Sequence, residues 1–342
     1  MYNVYQHWDP LKVCIVGCSY PPEFYNFITN TKVRNVMERI AIETEEDYQK
    51  LIKLLESFDV KVLRPEIVKE FGNYLLPDNS RYITPPMTPR DYSIMLGEQF
   101  YFKTNRFSEW EMLTWGKVLG EIQQQGNNVI FSAEPEFENF NSAMSTRIGK
   151  DIYQGSTTYD EDLTKKMQVY SKTYPEHRWH AINTGGHSDS TFCPVVPGLI
   201  VSLCDIPTYA KTFPDWEVVY LPGQSWQAIP EFEKLKQKNA GKWWVPGQEL
   251  NDEFTDFVET WLNHWVGYVE ETVFDVNMLV VDQKNVICNN YNKQVFDALE
   301  RHGVTAHVIN FRHRYFWDGG LHCITSDVHR EGTMQDYFPE RG

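Results

Sequence analysis

The chain is poor in cysteine, in positive charge and in long apolar runs, and each shortage removes a class of protein. Its six cysteines, at positions 14, 18, 193, 204, 288 and 323, are scattered through 342 residues. Small secreted domains stapled by disulfides carry their cysteines densely, so no such framework is expected. Cys14 and Cys18 stand near one another without a partner cluster, which makes zinc a poor candidate. Lysine and arginine total 32 against 47 acidic residues, a net charge of -15. That balance repels phosphate backbones and anionic headgroups, so neither nucleic acid nor a membrane surface is expected as a partner, whereas a cationic small molecule would be attracted. No apolar run reaches the length of a bilayer span. The opening Met1 to Pro10 has neither the basic start and apolar stretch of a secretory signal nor the arginines of a transit peptide, which points to a cytoplasmic protein.

Low-complexity linkers are also missing, so residues 1–342 are expected to form a single domain. With 42% apolar and 15% aromatic residues the chain has enough to bury to fold as a globular protein. Short apolar runs read as strands at Lys12–Gly17, Val60–Leu63, Asn128–Ser132, Trp179–Ile182, Leu199–Leu203, Val218–Leu221, Asn277–Val281, Val286–Asn289 and Ala306–Phe311. Tyr92–Phe102 reads as a strand pair turning at Gly97. Helical patterns lie at Glu109–Gln125, near Glu253–Trp265, near Lys293–His302, and from an N-cap at Thr44 to Phe58. The stretch between Ser132 and Asp151 reads as irregular and polar. Alternating short strands and helices argue for an α/β fold.

Four polar stations stand beside turns: Asp91, Asp151, His187 with Asp189, and Cys323. Each alone has an ordinary explanation, as a helix cap, a solvated carboxylate, a hydrogen-bonded histidine or an inert core cysteine. Cys323 departs from that last case because it follows Gly319-Gly320 and is flanked by Asp318, His322 and Asp327, company unsuited to an apolar core thiol. His187 and Asp189 would share one face if their segment is extended.

The segments Trp8-Asp9-Pro10-Leu11, Met87-Thr88-Pro89-Arg90-Asp91, Arg147-Ile148-Gly149-Lys150-Asp151-Ile152, His187-Ser188-Asp189-Ser190-Thr191-Phe192, Gly319-Gly320-Leu321-His322-Cys323 and Asp327 to Thr333 resemble, in order and over nearly the whole chain, the glycine amidinotransferase group of the guanidino-group-modifying superfamily. The resemblance implies a five-bladed α/β propeller of ββαβ units around a central active-site channel. It implies Cys323 as nucleophile, His187 as general acid and base, Asp151 as the carboxylate orienting His187, and Asp91 and Asp189 as the grip on a guanidinium. No cofactor or metal is implied. The expected partners are a small-molecule guanidine donor and an amine acceptor, with a homodimer as the possible assembly.

Three departures bear on the substrate. Ile206 stands where the family has an arginine for the donor carboxylate, Glu270 and Glu271 stand where it has serines, and Asp318 replaces a glycine. Arg312 or Arg314 could supply the missing cation, but the family has an arginine at the place of Arg312 too, which marks that one as structural. The open segment Thr184-Gly185-Gly186 replaces a bulkier one and suggests a larger acceptor than glycine. The expected function is therefore transfer of an amidino group from arginine or a related guanidine to an amine, with Asp318, Glu270 and Glu271 added to the substrate-binding set. The alternatives are a guanidine hydrolase or deiminase of the same superfamily and a non-catalytic cation-binding protein.

Overall fold

The computed structural model describes residues 1–68, 82–103, 109–132, 135–137, 140–156, 161–203, 209–221, 242–267 and 273–341. Among them, fifteen strands form five separate three-stranded sheets. One pattern recurs in all five: an antiparallel pair followed by a helical crossover to a parallel third strand. Strands β3 (Ser93–Leu96) and β4 (Gln99–Lys103) pair antiparallel, and β4 pairs parallel with β5 (Asn128–Ser132) across the helix Glu109–Gln124. The same holds for β6 (Ser145–Ile148), β7 (Asp151–Ser156) and β8 (Arg178–Asn183) across the helix Glu161–Thr173. It holds again for β9 (Phe192–Val196), β10 (Leu199–Ser202) and β11 (Glu217–Tyr220), and for β12 (Leu279–Asp282), β13 (Asn285–Cys288) and β14 (Thr305–Val308). In the fifth sheet β1 (Leu11–Val16) pairs parallel with β2 (Lys61–Leu63) and antiparallel with β15 (Thr325–Arg330), so the two ends of the chain share a sheet. The architecture is the expected five-unit α/β propeller.

Most expected strands stand within a residue or two of their apolar runs. The helix placed at Thr44–Phe58 is instead Thr31–Ser57. Its cap is Asn30, whose side chain accepts from the amides of Lys32 and Val33, and its buried stripe runs through Val33, Met37, Ile40, Tyr48, Leu51 and Leu55. Thr44 lies on that stripe, and its hydroxyl accepts a hydrogen bond of 2.9 Å from Trp317 Nε1. The stretch after Ser132 is not irregular throughout, since it contains β6, where the buried side chains Ser145, Thr146 and Arg147 gave no apolar run to read.

Polar burial at the centre is as consequential as the apolar layers. Asp327, on β15, is fully buried and bound by Arg90 at 3.1 Å, Arg147 at 2.7 Å and Arg330 at 2.8 Å. Burial opposes the charge of Asp327, but the three guanidinium groups outweigh it and hold the carboxyl well below its usual range. The same arginines reach outward: Arg90 Nε to the carbonyls of His322 and Thr325, Arg147 Nη1 to that of Met95, and Arg330 to those of Asp9 and Val280.

Removing the carboxylate leaves three buried cations uncompensated. Asp327→Asn is expected to lower unfolding stability by about 3–5 kcal/mol, read as the shift in the chemical-denaturation midpoint at unchanged slope. A loss under about 1 kcal/mol would show that the arginines are satisfied by carbonyls alone.

Candidate active site

Functional side chains converge because the loops entering the first strand of successive units meet at one end of the propeller. Asp91 lies in a single 3₁₀ turn, Pro89–Asp91, before β3. His187 and Asp189 lie before β9, where Ser188–Ser190 form another such turn. Asn277 precedes β12, and Cys323 precedes β15. The turn before β6 belongs to the same set: Asn141 accepts there from the amides of Ala143 and Met144, and the carbonyl of Ala143 accepts from the Asp189 amide at 3.2 Å. Glycine permits one close approach, because a Cβ on Gly155 of β7 would lie 2.1 Å from Ser188 Oγ.

Cys323 is buried at 6% exposure. Its sulfur accepts from Asn277 Nδ2 at 3.0 Å and faces Asp189 Oδ2 at 3.5 Å, where the thiol hydrogen has an acceptor. Burial, then the charges of Asp189 and Asp91 and the weaker field of Asp318, push the thiol well above its usual range, and only the Asn277 hydrogen bond works the other way. Asp189 Oδ2 also pairs with His322 Nδ1 at 2.9 Å. Burial followed by the Arg90 charge lowers His322 to about 4, so its ring is neutral and donates from Nδ1. Burial of Asp189 favours its neutral acid, but the His322 hydrogen bond and the charges of His187 and Arg90 prevail and keep it ionised.

His187 stands half exposed at the rim, its Nδ1 3.5 Å from Asp91 Oδ1. Asp91 is the main influence raising the His187 pKa, against burial, with Asp189 and Asp318 adding and Lys103 subtracting. Asp91 itself is raised by burial and by Asp189. Each of the two carboxylates keeps one buried oxygen, Asp91 Oδ1 and Asp189 Oδ1, without a hydrogen-bond donor. Buried carboxylate oxygens are costly unless a donor meets them, and the 3.5 Å approach of His187 Nδ1 to Asp91 Oδ1 does not make a hydrogen bond.

Asp151 does not belong to this cluster. Its oxygens are taken by Arg178 at 2.7 Å, by Arg341 at 3.0 Å and by His180, and these bonds outweigh burial to keep it charged. The histidine it binds is thus His180, and the carboxylate beside His187 is Asp91. Nor do His187 and Asp189 share a face of an extended strand, since the intervening turn aims one at Asp91 and the other at His322 and Cys323. Asp318 lies in a left-handed conformation (φ 50°) that ends the Arg314–Trp317 turn, against Gly267 and within the electrostatic field of both His187 and Cys323. Neither proposed substitute cation is near: Arg312 is bound to Asp47 and Glu46, and Arg314 bonds Asn310 and lies 4.7 Å from the Tyr315 ring centre. Ile206, Glu270 and Glu271 fall outside the described residues.

Sequence reasoning passed over Asn277, Asn289 and the Arg90–Arg147–Asp327 group, and it saw His322 only as a neighbour of the thiol. A lone polar residue opening an apolar strand was the one hint of Asn277. Among the described residues no group of three His, Cys, Asp or Glu side chains is arranged to hold a metal, the five described cysteines are unpaired, and no helix is long and apolar enough to cross a membrane.

No family model matches the chain. Individual proteins do, along nearly its whole length. Glycine amidinotransferase from Xenopus laevis is 22% identical over 98% of this chain and 84% of its own. A putative inosamine-phosphate amidinotransferase of Streptomyces griseus is 23% identical, covering 98% of both. Among solved structures, an amidinotransferase of saxitoxin biosynthesis from Microseira wollei aligns with a TM-score of 0.69 and 21% identity over 98% of this chain and 99% of that one. Over nearly its whole length the chain is thus similar to amidinotransferases and shares their fold. A dimethylarginine dimethylaminohydrolase shares the fold more distantly, with a TM-score of 0.52 and 12% identity over 93% of this chain and 99% of that one.

The acidic surroundings of the thiol can be tested directly. Asparagine accepts the left-handed backbone of position 318 as readily as aspartate. Asp318→Asn should therefore leave the fold intact and lower the Cys323 thiol pKa, because a charge that raised it is gone. The check is the pH profile of Cys323 alkylation by iodoacetamide, whose midpoint should move to lower pH. An unmoved or raised midpoint would place Asp318 outside the field of the sulfur.

Proposed function

We propose that the protein transfers an amidino group from arginine, or a related guanidine, to an amine acceptor through a covalent intermediate on Cys323. The observation that carries this reading is the pair of donor-less buried oxygens on Asp91 and Asp189 beside a buried cysteine. A guanidinium is planar, cationic and rich in N–H donors, so it satisfies both carboxylates at once and is held in one orientation. Its charge also opposes the fields that keep the thiol protonated, so the substrate helps to ionise the group that attacks it.

The Cys323 proton passes to His187, and the thiolate forms a bond to the guanidinium carbon. The tetrahedral adduct then breaks its bond to the donor nitrogen, which leaves as an amine after taking the proton from His187. An amidino group remains on sulfur. An incoming amine gives a proton to His187, attacks the same carbon and expels the thiolate, which takes that proton back from His187 and so completes a ping-pong cycle. Asp91, at 3.5 Å from Nδ1, favours the protonated imidazole that the first half needs.

The acceptor half has room. A Cβ on Gly185 or Gly186, next to His187, would meet nothing within 4 Å. Three carboxylates, Asp91, Asp189 and Asp318, act on Cys323 or His187. An amine bearing a second positive charge and no carboxylate, such as a diamine, suits that field better than glycine does. Water as acceptor gives the hydrolase alternative, and product analysis with and without an added amine separates the two.

Intact mass of the protein after mixing with arginine alone should show one added amidino group, lost on adding hydroxylamine or an acceptor amine. Cys323→Ser should carry none. His187→Asn should form it about 10²–10⁴-fold more slowly, the usual range for lost acid–base assistance. An adduct retained in Cys323→Ser would mean that the nucleophile lies elsewhere. In competition with arginine as donor, putrescine should exceed glycine in specificity constant, and Asp318→Asn should narrow the gap. A preference for glycine unaffected by Asp318→Asn would remove the dicationic acceptor.

A further inference from the structure

Guanidine chemistry at Asp91, Asp189, His187 and Cys323 leaves the amide of Asn277 without a task, although that side chain is fully buried and touches the sulfur. Its orientation is dictated by its neighbours. The backbone amides of His322 and Cys323 lie 2.9 and 3.3 Å from Oδ1, and two N–H donors require an oxygen there. The NH₂ end must then face Cys323 Sγ at 3.0 Å and the carbonyl of Asp189 at 3.2 Å. Asn277 is itself fixed: its carbonyl accepts from Asn289 Nδ2 at 2.7 Å, while Asn289 Oδ1 takes the amide of Leu321 at 3.1 Å. The approach depends on Gly320, where a Cβ would come within 2.5 Å of Asn277 Oδ1.

We propose that Asn277 is a catalytic residue, the N–H donor that stabilises the Cys323 thiolate when it forms and again when it is expelled by the acceptor. The catalytic meaning of this assignment rests on the amidino-transfer reading, while the contact with sulfur does not. The environment makes a donor necessary. Cys323 is enclosed, and three carboxylates oppose its ionisation. A hydrogen bond to an ionised acceptor is stronger than one to its neutral form, so the amide favours the thiolate over the thiol. One side chain divides the labour: its oxygen shapes the nucleophile turn, and its nitrogen serves the sulfur.

That division allows the chemical half to be removed alone. Asn277→Asp keeps the accepting oxygen and the shape but replaces the donor with an oxygen, and Asn277→Ala removes the donor without adding charge. The measurement is the pH profile of Cys323 alkylation by iodoacetamide in the full-length protein, followed by peptide mass spectrometry, with thermal unfolding as the check on folding. The midpoint is expected to move to higher pH by about one unit or more in both variants, which slows alkylation about tenfold below the midpoint. If Asn277→Ala does not fold, Asn277→Leu, which also lacks the donor and adds no charge, takes its place, and the uncharged variant's midpoint decides. A midpoint unchanged from the parent overturns the proposal even if turnover is lost, because a residue that merely pins the turn would produce that result. A shift in Asn277→Asp alone, with Asn277→Ala unmoved, reports only the added charge and also counts against it. The alkylation readout needs no guanidine. A parent protein that takes no amidino group from arginine would therefore sink the transfer reading and leave the thiolate donor standing, and the reverse pair of results would do the opposite.

Discussion

Asp327 and its three arginines hold the propeller together at the one place where apolar packing cannot. Five sheets that meet around an axis leave polar loop ends and backbone carbonyls near the centre, and these must be satisfied without water. One carboxylate gathers three guanidinium groups, and those groups also donate to carbonyls before β1, in β3, in β12 and around the nucleophile turn. Arg90 matters most for chemistry. It grips the His322 and Thr325 carbonyls on either side of Cys323 and Ile324, follows Pro89 in the turn that ends at Asp91, and lowers the pKa of both Asp189 and His322.

Charge is therefore layered along the axis. The buried centre is cationic, and the next layer is the acidic group Asp91, Asp189 and Asp318 around His187 and Cys323. Each layer fixes the protonation of the one above it. Burial and arginine charge keep His322 neutral, neutral His322 supports ionised Asp189, and the carboxylates raise the pKa of both Cys323 and His187. The raised thiol pKa makes the resting site quiet toward adventitious electrophiles.

Much of the fold was legible because apolar runs mark the strands plainly, as at Asn128–Ser132, where the expected and observed limits coincide. The helix start at Asn30 was missed because the acidic residues after Thr44 imitate a first turn, while the true cap precedes a segment of mixed polarity. β6 was missed because its inward side chains are polar and serve the central charge cluster. At the site, Cys323, His187, Asp91 and Asp189 were named from short motifs, and the structure brings all four together. Asp151 misled because it sits in a motif as distinctive as theirs, yet that motif closes a turn whose carboxylate serves Arg178, His180 and Arg341. Which aspartate faces which histidine is a matter of blade geometry, and no local pattern encodes it. Asn277 was illegible for the same reason, since its partners lie in loops distant in sequence.

The pairing of β15 with β1 has a consequence for how the protein comes into being. Cys323 reaches its place only when β15 closes onto β1, a strand some three hundred residues earlier in the sequence. Contacts between chain ends carry the greatest loop-closure entropy and tend to form late. Until then the carboxylates of the earlier units have no thiol to act on, and the thiol has neither Asn277 nor Asp189 beside it. Reactivity and ring closure thus arrive in a single event, which makes the state of this one thiol a reporter of whether the whole chain has finished folding.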